Sequence, residues 1–182
     1  MKNLTIEIEA EDKSPDALLL YQVMPESMMR ARLQTAFELT ATLVASSYPT
    51  FAQEVLRDFS DFYIFIVLVD STKSQALNHQ YRQKNYPTNI LSFPSGIPID
   101  FYKSLPKNEQ QFELGDLVVD FSIIKKEAEQ QNKQLTDHFS HILIHGMLHL
   151  LSFDHILPND ANIMEQLEID LLSYLNFSNP YE

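Results

Sequence analysis

The sequence contains no cysteine, and only three of its 182 residues are glycine. Without cysteine the chain can form no disulfide, thiolate metal site or iron–sulfur cluster, and it has no cysteine nucleophile, which fits a reducing compartment. Basic residues are also scarce: 13 Lys and Arg against 25 Asp and Glu give a net charge of −12. This acidic balance argues against a general nucleic-acid binder, because contacts with phosphate need local positive charge.

Long hydrophobic runs are missing as well. The longest apolar stretch, residues 62–69, is far shorter than the roughly 20 residues that span a bilayer. Residues 1–10 alternate charged and apolar side chains, unlike the basic and then apolar regions of a signal peptide. With 45% hydrophobic and 21% charged residues, the composition is typical of a globular protein. We therefore expect a cytoplasmic protein with no membrane partner, folded as one domain over residues 1–182.

The hydropathy pattern predicts an α+β fold, with a mixed sheet of about four strands and helices packed over it. Strands are predicted at residues 4–9, 62–69, 90–93 and 114–121. Helices are predicted at about residues 25–47, 72–81, 123–131, 138–151 and 161–175. Asp70 or Ser71 is the predicted N-cap of the second helix, and Asp137 that of the fourth. Residues 94–111 have no clear period and are the candidate insertion or mobile loop.

Five of the six histidines crowd into one segment: His138, His141, His145, His149 and His155. His145 and His149 are four residues apart on the predicted central helix, so both can reach one metal ion at about 2.0–2.1 Å. A third ligand must come from chain that leaves the helix and folds back, and His155 can supply it. Three imidazoles with an open fourth position are typical of a catalytic zinc, which lowers the pKa of a bound water to about 7.

The other two clustered histidines receive different predictions. His141 lies eight residues before His149, roughly 12 Å of helix rise, which is too far for both to join His145 on one ion. His141 is therefore a candidate either for a residue that contacts a ligand or for the substrate side of the site. His138, at the predicted start of the helix, is interpreted as a surface residue.

A glycine stands between the two helical ligands. The spacing of His145, His149 and His155 matches that of the metzincin proteases, which carry a general-base glutamate directly after the first histidine. Here that position is Gly146, which argues against peptide hydrolysis. A glycine inside a helix costs about 1 kcal/mol relative to alanine. Two interpretations stay open: close access to this helix face at the site, or helix-on-sheet packing.

Several segments together resemble one family. Residues 145–155, HGMLHLLSFDH, resemble the signature H-G-x-L-H-L-x-G-Y-D-H of the YbeY family, metal-dependent bacterial endoribonucleases of ribosomal RNA maturation. Residues 77–94 resemble that family's L-N-x2-Y-R and P-T-N-V-L-S-F block, and residues 114–117 its L-G-D-I strand. Further matches in the expected order are Glu127-Ala128, Met164-Glu165, Glu168 and Pro180-Tyr181. The resemblance covers roughly residues 62–181.

The resemblance implies one zinc ion per chain, held by His145, His149 and His155. It implies cleavage of single-stranded ribosomal RNA precursors, including maturation of the 16S rRNA 3′ end, and a role in ribosome quality control. The implied partners are RNA, the small ribosomal subunit and its assembly factors, and not DNA. Arg82 is the candidate catalytic arginine, since a guanidinium can bind two phosphate oxygens. Lys73 and Lys84 would complete a small basic group around it.

The general base stays open among zinc-bound hydroxide, His141, Asp154 and the 2′-hydroxyl of the RNA. For Asp154 we favour a role in orienting a ligand histidine. Two residues depart from the family pattern. Ser152 replaces a glycine where the helix should end in a left-handed conformation, at a cost of roughly 1 kcal/mol, and Phe153 replaces a tyrosine and loses its hydroxyl.

Two other functions remain open at this point. One is a metal-dependent hydrolase with another substrate, including peptides as in the metzincins. The other is a non-catalytic, zinc-stabilised factor associated with the ribosome, in which the metal only holds the last helix in place.

Overall fold

A computed structural model of the chain describes residues 2–12, 15–43 and 48–182. Its strands are β1 (Asn3–Ala10), β2 (Asp61–Leu68), β3 (Ile90–Pro94) and β4 (Gln111–Val119). They form one sheet in the order β1-β2-β4-β3, in which β1, β2 and β4 are parallel and β3 is antiparallel to β4. The predicted α+β class and the four-stranded mixed sheet are confirmed.

Eight α-helices lie within the described residues. They are α1 (Pro15–Val23), α2 (Glu26–Thr42), α3 (Thr50–Asp58), α4 (Ser71–Arg82), α5 (Ile99–Ser104), α6 (Phe121–Gln130), α7 (Leu135–Leu150) and α8 (Pro158–Tyr174). The five predicted helices correspond to α2, α4, α6, α7 and α8. The predicted end of the first of these, at residue 47, lies outside the described residues.

Three of the helices were not predicted, and each is short. Helix α1 buries only Ala17 and Leu20, which is too little to show a helical period. Helix α3 begins directly after Pro49, because proline suits a helix start as well as it stops a preceding helix. Helix α5 and a 3₁₀ turn at Lys107–Glu109 lie within residues 94–111. This segment therefore contains secondary structure, and its status as an insertion stays a prediction.

Helix α7 is the centre of the fold, in contact with α2, α6, α8, β3 and β4. A Cβ atom at Gly146 would lie 2.5 Å from Cδ1 of Ile90 and 3.0 Å from Cδ2 of Leu117. Both distances are shorter than ordinary carbon–carbon contacts. Gly146 thus lets α7 approach strands β3 and β4, and the packing interpretation of this glycine is the correct one.

The starts of two helices test the predicted caps. Asp70 caps α4 as predicted, because its carboxylate accepts a hydrogen bond from the backbone N–H of Lys73 at 2.8 Å. The prediction for α7 is wrong: the helix begins at Leu135, so Asp137 lies in its first turn and is not the N-cap. With the helix already formed at His138, its side chain faces the interior and is only 5% exposed. The prediction of a surface His138 is therefore also wrong.

The described residues contain no helix that is both long and apolar enough to cross a membrane.

Candidate metal centre

The three predicted ligand histidines lie together. His145 and His149 stand one turn apart on α7, with their Nε2 atoms 3.1 Å from each other. The ring of His155 lies with its centroid 5.4 Å from that of His145 and 5.0 Å from that of His149. One ring nitrogen from each histidine lies within 4.8 Å of the other two.

The turn after α7 brings His155 back toward the helix. Ser152 has φ of 65°, the predicted left-handed conformation. Its N–H donates to the carbonyl of His149 at 3.0 Å, and the N–H of Phe153 donates to that of Leu148 at 3.1 Å. These bonds satisfy carbonyls that the end of a helix would otherwise leave without partners. The reversal is completed at His155, whose backbone N–H donates to the Asp154 carboxylate at 2.7 Å.

The outer contacts of two ligands determine where their protons lie. Nδ1 of His145 is 2.7 Å from Oε1 of Glu168, and Nδ1 of His149 is 2.9 Å from the carbonyl oxygen of Phe153. Both partners accept hydrogen bonds, so each Nδ1 carries the proton and each Nε2 keeps its lone pair. Two facing lone pairs repel each other unless a cation lies between them. Ligands at 2.0–2.1 Å around a tetrahedral zinc are about 3.3 Å apart, so this pair fits a metal ion.

Burial favours the ligand form of His149. Burial, together with the nearby rings of His145 and His155, lowers the pKa of His149 to about 4. The imidazole is therefore neutral near pH 7, which metal coordination requires.

Glu168 on α8 orients His145, a role that the sequence analysis did not assign to it. Its carboxylate has no exposed surface and accepts hydrogen bonds from His145, from Nε2 of His141 at 3.3 Å and from the Tyr181 hydroxyl. Burial raises the pKa of Glu168, but these hydrogen bonds outweigh it and hold the value at about 2. The sequence did contain a signal for this role, because Glu168 is a carboxylate within an otherwise apolar helix face. The buried apolar residues of that face are Met164, Leu167, Leu171 and Leu172.

Asp154 makes a different contact from the one we favoured. The groups that orient His145 and His149 are the Glu168 carboxylate and the Phe153 carbonyl. The Asp154 carboxylate instead accepts from the backbone of His155. Asp154 therefore shapes the turn, and the orienting carboxylate comes from a different helix.

His141 lies beside the three ligands and outside their set. Its Nδ1 is buried and has no hydrogen-bond partner among the described residues. The donor atoms of His141, His145 and Glu168 also lie within 4.8 Å of one another. In that group, however, the Nδ1 proton of His145 already occupies the contact with Glu168. The contact is therefore a hydrogen bond, and the converging Nε2 atoms form the better metal site.

A pocket of about 310 Å³ opens beside the ligands. Its walls include His141, His145 and His155, and the other lining residues are Asn89, Ile142, Met164, Glu165, Glu168 and Tyr181. The Asn89 amide is held in place, because its Nδ2 donates to both carboxylate oxygens of Glu127 at 3.2 and 3.0 Å. The pocket thus combines candidate ligands with fixed polar groups and an apolar wall.

Arg82 lies at the end of α4, and the structure does not bring it into this pocket. One of its Nη atoms donates to the carbonyl of Ser92 at 3.2 Å, and the Ser92 hydroxyl donates to the carbonyl of Gly146 at 3.1 Å. Arg82 is therefore two hydrogen bonds away from the residue that follows His145. In the predicted basic group, Lys73 is paired with Glu11 at 3.4 Å.

Comparisons with known proteins identify the family. The family model described as Endoribonuclease YbeY matches residues 25–176. A protein of that name from Colwellia psychrerythraea is 46% identical over 121 residues, 66% of this chain and 73% of its own. One from Alteromonas mediterranea is 44% identical over 123 residues, 68% of this chain and 73% of its own. One from Acinetobacter baumannii is 46% identical over 123 residues, 67% of this chain and 75% of its own.

Among solved structures, a Thermotoga maritima protein determined in solution has a TM-score of 0.47 and 19% identity, covering 98% of this chain and 99% of its own. The match to the family model includes β2 to β4, α7 and the three clustered histidines at its end. The chain belongs to the endoribonuclease YbeY family.

Proposed function

We propose that this chain is a zinc-dependent endoribonuclease that cleaves single-stranded ribosomal RNA precursors, with one zinc ion per chain. The observation that carries the proposal is the convergence of the His145 and His149 Nε2 atoms, with His155 beside them, in a member of an endoribonuclease family. When bound, zinc supplies Lewis-acid polarisation of a phosphodiester oxygen and a more acidic water. The three histidines hold the ion, and Glu168 and the Phe153 carbonyl hold two of their rings in orientation.

In this proposal Arg82 binds the RNA backbone. A guanidinium has five N–H donors in a planar fork, and one nitrogen of Arg82 is anchored on the carbonyl of Ser92. The remaining donors are free to bind two oxygens of a phosphate and to stabilise charge that develops on it. Since Arg82 lies outside the pocket at the metal ligands, the RNA would extend from that pocket past Ser92 to Arg82.

His141 is the proposed catalytic histidine. It forms part of the pocket wall, and its Nε2 lies 3.3 Å from the Glu168 carboxylate, so it can hold a proton beside the reacting phosphate. The water made more acidic by the metal, Asp154 and the RNA 2′-hydroxyl are the other candidates for the base. Replacement of His141 by Gln would retain a donor to Glu168 but remove the imidazole, so RNA cleavage that persists in this variant would exclude His141 as the base.

The proposed partners rest on the family to which the chain belongs, and the charge of the chain is consistent with them. A net charge of −12 gives weak, salt-sensitive affinity for RNA. We infer that the small ribosomal subunit and its assembly factors position the enzyme at its target. Maturation of the 16S rRNA 3′ end and ribosome quality control in the cytoplasm are the proposed settings.

A peptidase is the second candidate, and Gly146 weighs against it. A glutamate at this position, as in the metzincins, would have its Cβ atom 2.5 Å from Ile90, and its side chain would enter the space between α7 and the sheet. The metzincin general base is therefore absent at residue 146. A non-catalytic zinc factor is the third candidate. In such a factor, removal of zinc would unfold α8, and the protein would cleave no RNA with or without the metal.

The test combines metal analysis with RNA cleavage. Wild type, His149→Ala and Arg82→Ala are incubated with a single-stranded ribosomal RNA fragment and with the same fragment in a duplex, and Arg57→Ala is the matched arginine control. We expect about one zinc per wild-type chain, loss of zinc and cleavage in His149→Ala, and loss of cleavage with zinc retained in Arg82→Ala. Wild-type zinc without cleavage that depends on these residues would refute the endoribonuclease proposal.

A further inference from the structure

Residues 177–182 pack beside the candidate metal centre and are held there by polar contacts. Lys133, just after α6, donates from Nζ to the carbonyl of Pro180. Within the segment, the N–H of Tyr181 donates to Oδ1 of Asn179 at 3.0 Å. At its start, the Arg32 guanidinium lies 4.7 Å from the centroid of the Phe177 ring. These contacts give the segment a defined place against α2 and the residues that follow α6.

Tyr181 reaches from this segment to the groups behind the metal ligands. Its hydroxyl donates to Oε2 of Glu168, and its ring lies edge-on to that of His141 with centroids 5.8 Å apart. The side chain of Tyr181 is 48% exposed, so burial alone does not explain its position. The same ring forms part of the wall of the 310 Å³ pocket.

We propose that Tyr181 is a positioning residue of the metal centre, whose hydroxyl fixes the Glu168 carboxylate so that Glu168 can orient His145. The inference rests on the proposed function, because it requires a metal ion on His145, His149 and His155. It adds to that function a dependence of metal affinity on residues 177–182, which contribute no ligand themselves.

The two carboxylate oxygens of Glu168 have different hydrogen-bond partners. Oε1 accepts the short bond from His145 at 2.7 Å, whereas Oε2 has only the 3.3 Å contact with His141 besides the Tyr181 hydroxyl. A buried carboxylate needs several donors, because it has lost its hydration. Without the Tyr181 hydroxyl, the carboxylate can rotate toward His141 to recover a donor. That rotation lengthens the bond to His145 and releases the ring that carries the ligand nitrogen.

The size of the effect can be bounded from the position of Tyr181 in the chain of contacts. Groups that hydrogen-bond directly to a metal-ligating histidine typically change metal affinity by about 10–100-fold when they are removed. Tyr181 acts one bond further out, so we expect an effect of about 3–10-fold, below that range.

The test compares Tyr181→Phe with Tyr174→Phe, a matched control on α8 whose side chain is 64% exposed. Zinc Kd is measured by competition with a chromophoric chelator, and the visible spectrum of the Co²⁺-loaded protein reports ligand geometry without any RNA. We expect Tyr181→Phe to raise the zinc Kd by about 3–10-fold and to alter the cobalt spectrum. Tyr174→Phe is expected to match wild type in both, and the metal-free forms of all three are expected to unfold at similar temperatures.

A second variant guards against a folding defect in the first. Lys133→Ala removes the anchor of Pro180 and keeps the Tyr181 hydroxyl, so it should raise the zinc Kd by less than Tyr181→Phe does. One result overturns the inference: an unchanged zinc Kd in Tyr181→Phe, whether or not the metal-free stability of this variant falls. If wild type binds zinc and cleaves RNA while Tyr181→Phe is indistinguishable from it, only this inference fails. If wild type binds no zinc, the metal part of the proposed function fails with it.

Discussion

The two ends of helix α7 carry the same chemical pair in two arrangements. Near the start of the helix, His138 lies 2.9 Å from the carboxylate of Glu127 on α6. Near its end, His145 lies 2.7 Å from the carboxylate of Glu168 on α8. Each pair joins α7 to another helix. The ring atom differs, because His138 uses Nε2 and His145 uses Nδ1.

The choice of ring atom decides what each histidine can do. Nε2 of His138 is occupied by Glu127, and its Nδ1 is buried with no hydrogen-bond partner in the described part of the chain. His145 keeps Nε2, the nitrogen farther from the backbone, and this atom faces Nε2 of His149 at 3.1 Å. A histidine–carboxylate pair can therefore orient a metal ligand only where Nε2 of the histidine is free and faces the Nε2 atom of a second histidine. At the start of α7 the same pair links helices.

The sharpest test of this comparison replaces each carboxylate by its amide. We expect Glu168→Gln to weaken zinc binding by about 10–100-fold, because the ring of His145 loses its charged acceptor. Glu127→Gln should change zinc affinity by less than about twofold, since its histidine lies outside the ligand set. The zinc Kd of each variant and of wild type is measured by competition with a chelator. Equal losses in the two variants would break the distinction between the two ends of the helix.

The contact between His138 and Glu127 at the start of α7 should instead contribute to the free energy of unfolding. The Glu127 carboxylate accepts from the buried His138 and from Asn89, and weakening such a part-buried contact costs up to about 1–3 kcal/mol. Burial raises the pKa of Glu127, but the hydrogen bonds from His138 and Asn89 outweigh it and hold the pKa below the ordinary 4.5. A lowered pKa means that this stabilisation is present above about pH 4.5 and is lost as the pH falls through the folded-state value.

Urea unfolding of metal-free wild type and Glu127→Gln checks both statements. We expect the variant to be less stable at pH 7 and the difference to shrink as the pH is lowered from 5 to 3, because protonated Glu127 resembles glutamine. A difference that stays constant across this range would show that the carboxylate charge does not contribute to the link.

The smallest expected effect lies in the turn at the ligand end. Ser152 adopts φ of 65°, where glycine is more stable than serine by roughly 1 kcal/mol. Ser152→Gly should therefore raise the free energy of unfolding by about this amount. It should leave the zinc Kd within about twofold of wild type, because the bonds that fold His155 back are made by the backbone and by the Asp154 carboxylate. Thermal unfolding with and without zinc measures both, and a large change in zinc affinity would mean that the side chain of residue 152 sets the ligand geometry.

The features predicted correctly are those that depend on residues close together in the chain. The i, i+4 spacing places His145 and His149 on one helix face, and the left-handed turn at Ser152 returns the chain to His155 within six residues. The cap at Asp70 is also local. The missed features join residues that are far apart in sequence: Glu168 comes from the next helix, and Tyr181 from beyond its end.

The prediction for His138 was wrong for the same reason, because its environment depends on residues that are distant in sequence. Its burial depends on α7 beginning at Leu135 and on α6 presenting Glu127, and neither follows from the spacing of histidines. Arg82 is similar, because its link to α7 passes through Ser92 on β3, and only the sheet brings these elements together.

By itself, the sequence determined that the chain is an α+β protein with three histidines that can converge at the end of one helix, because periodicity and helical spacing are local. The tertiary structure alone decided how the histidine rings are oriented, because that depends on which ring nitrogen of His138 and of His145 meets a carboxylate. Those carboxylates are supplied by helices α6 and α8, whose positions are set by packing on α7 and the sheet.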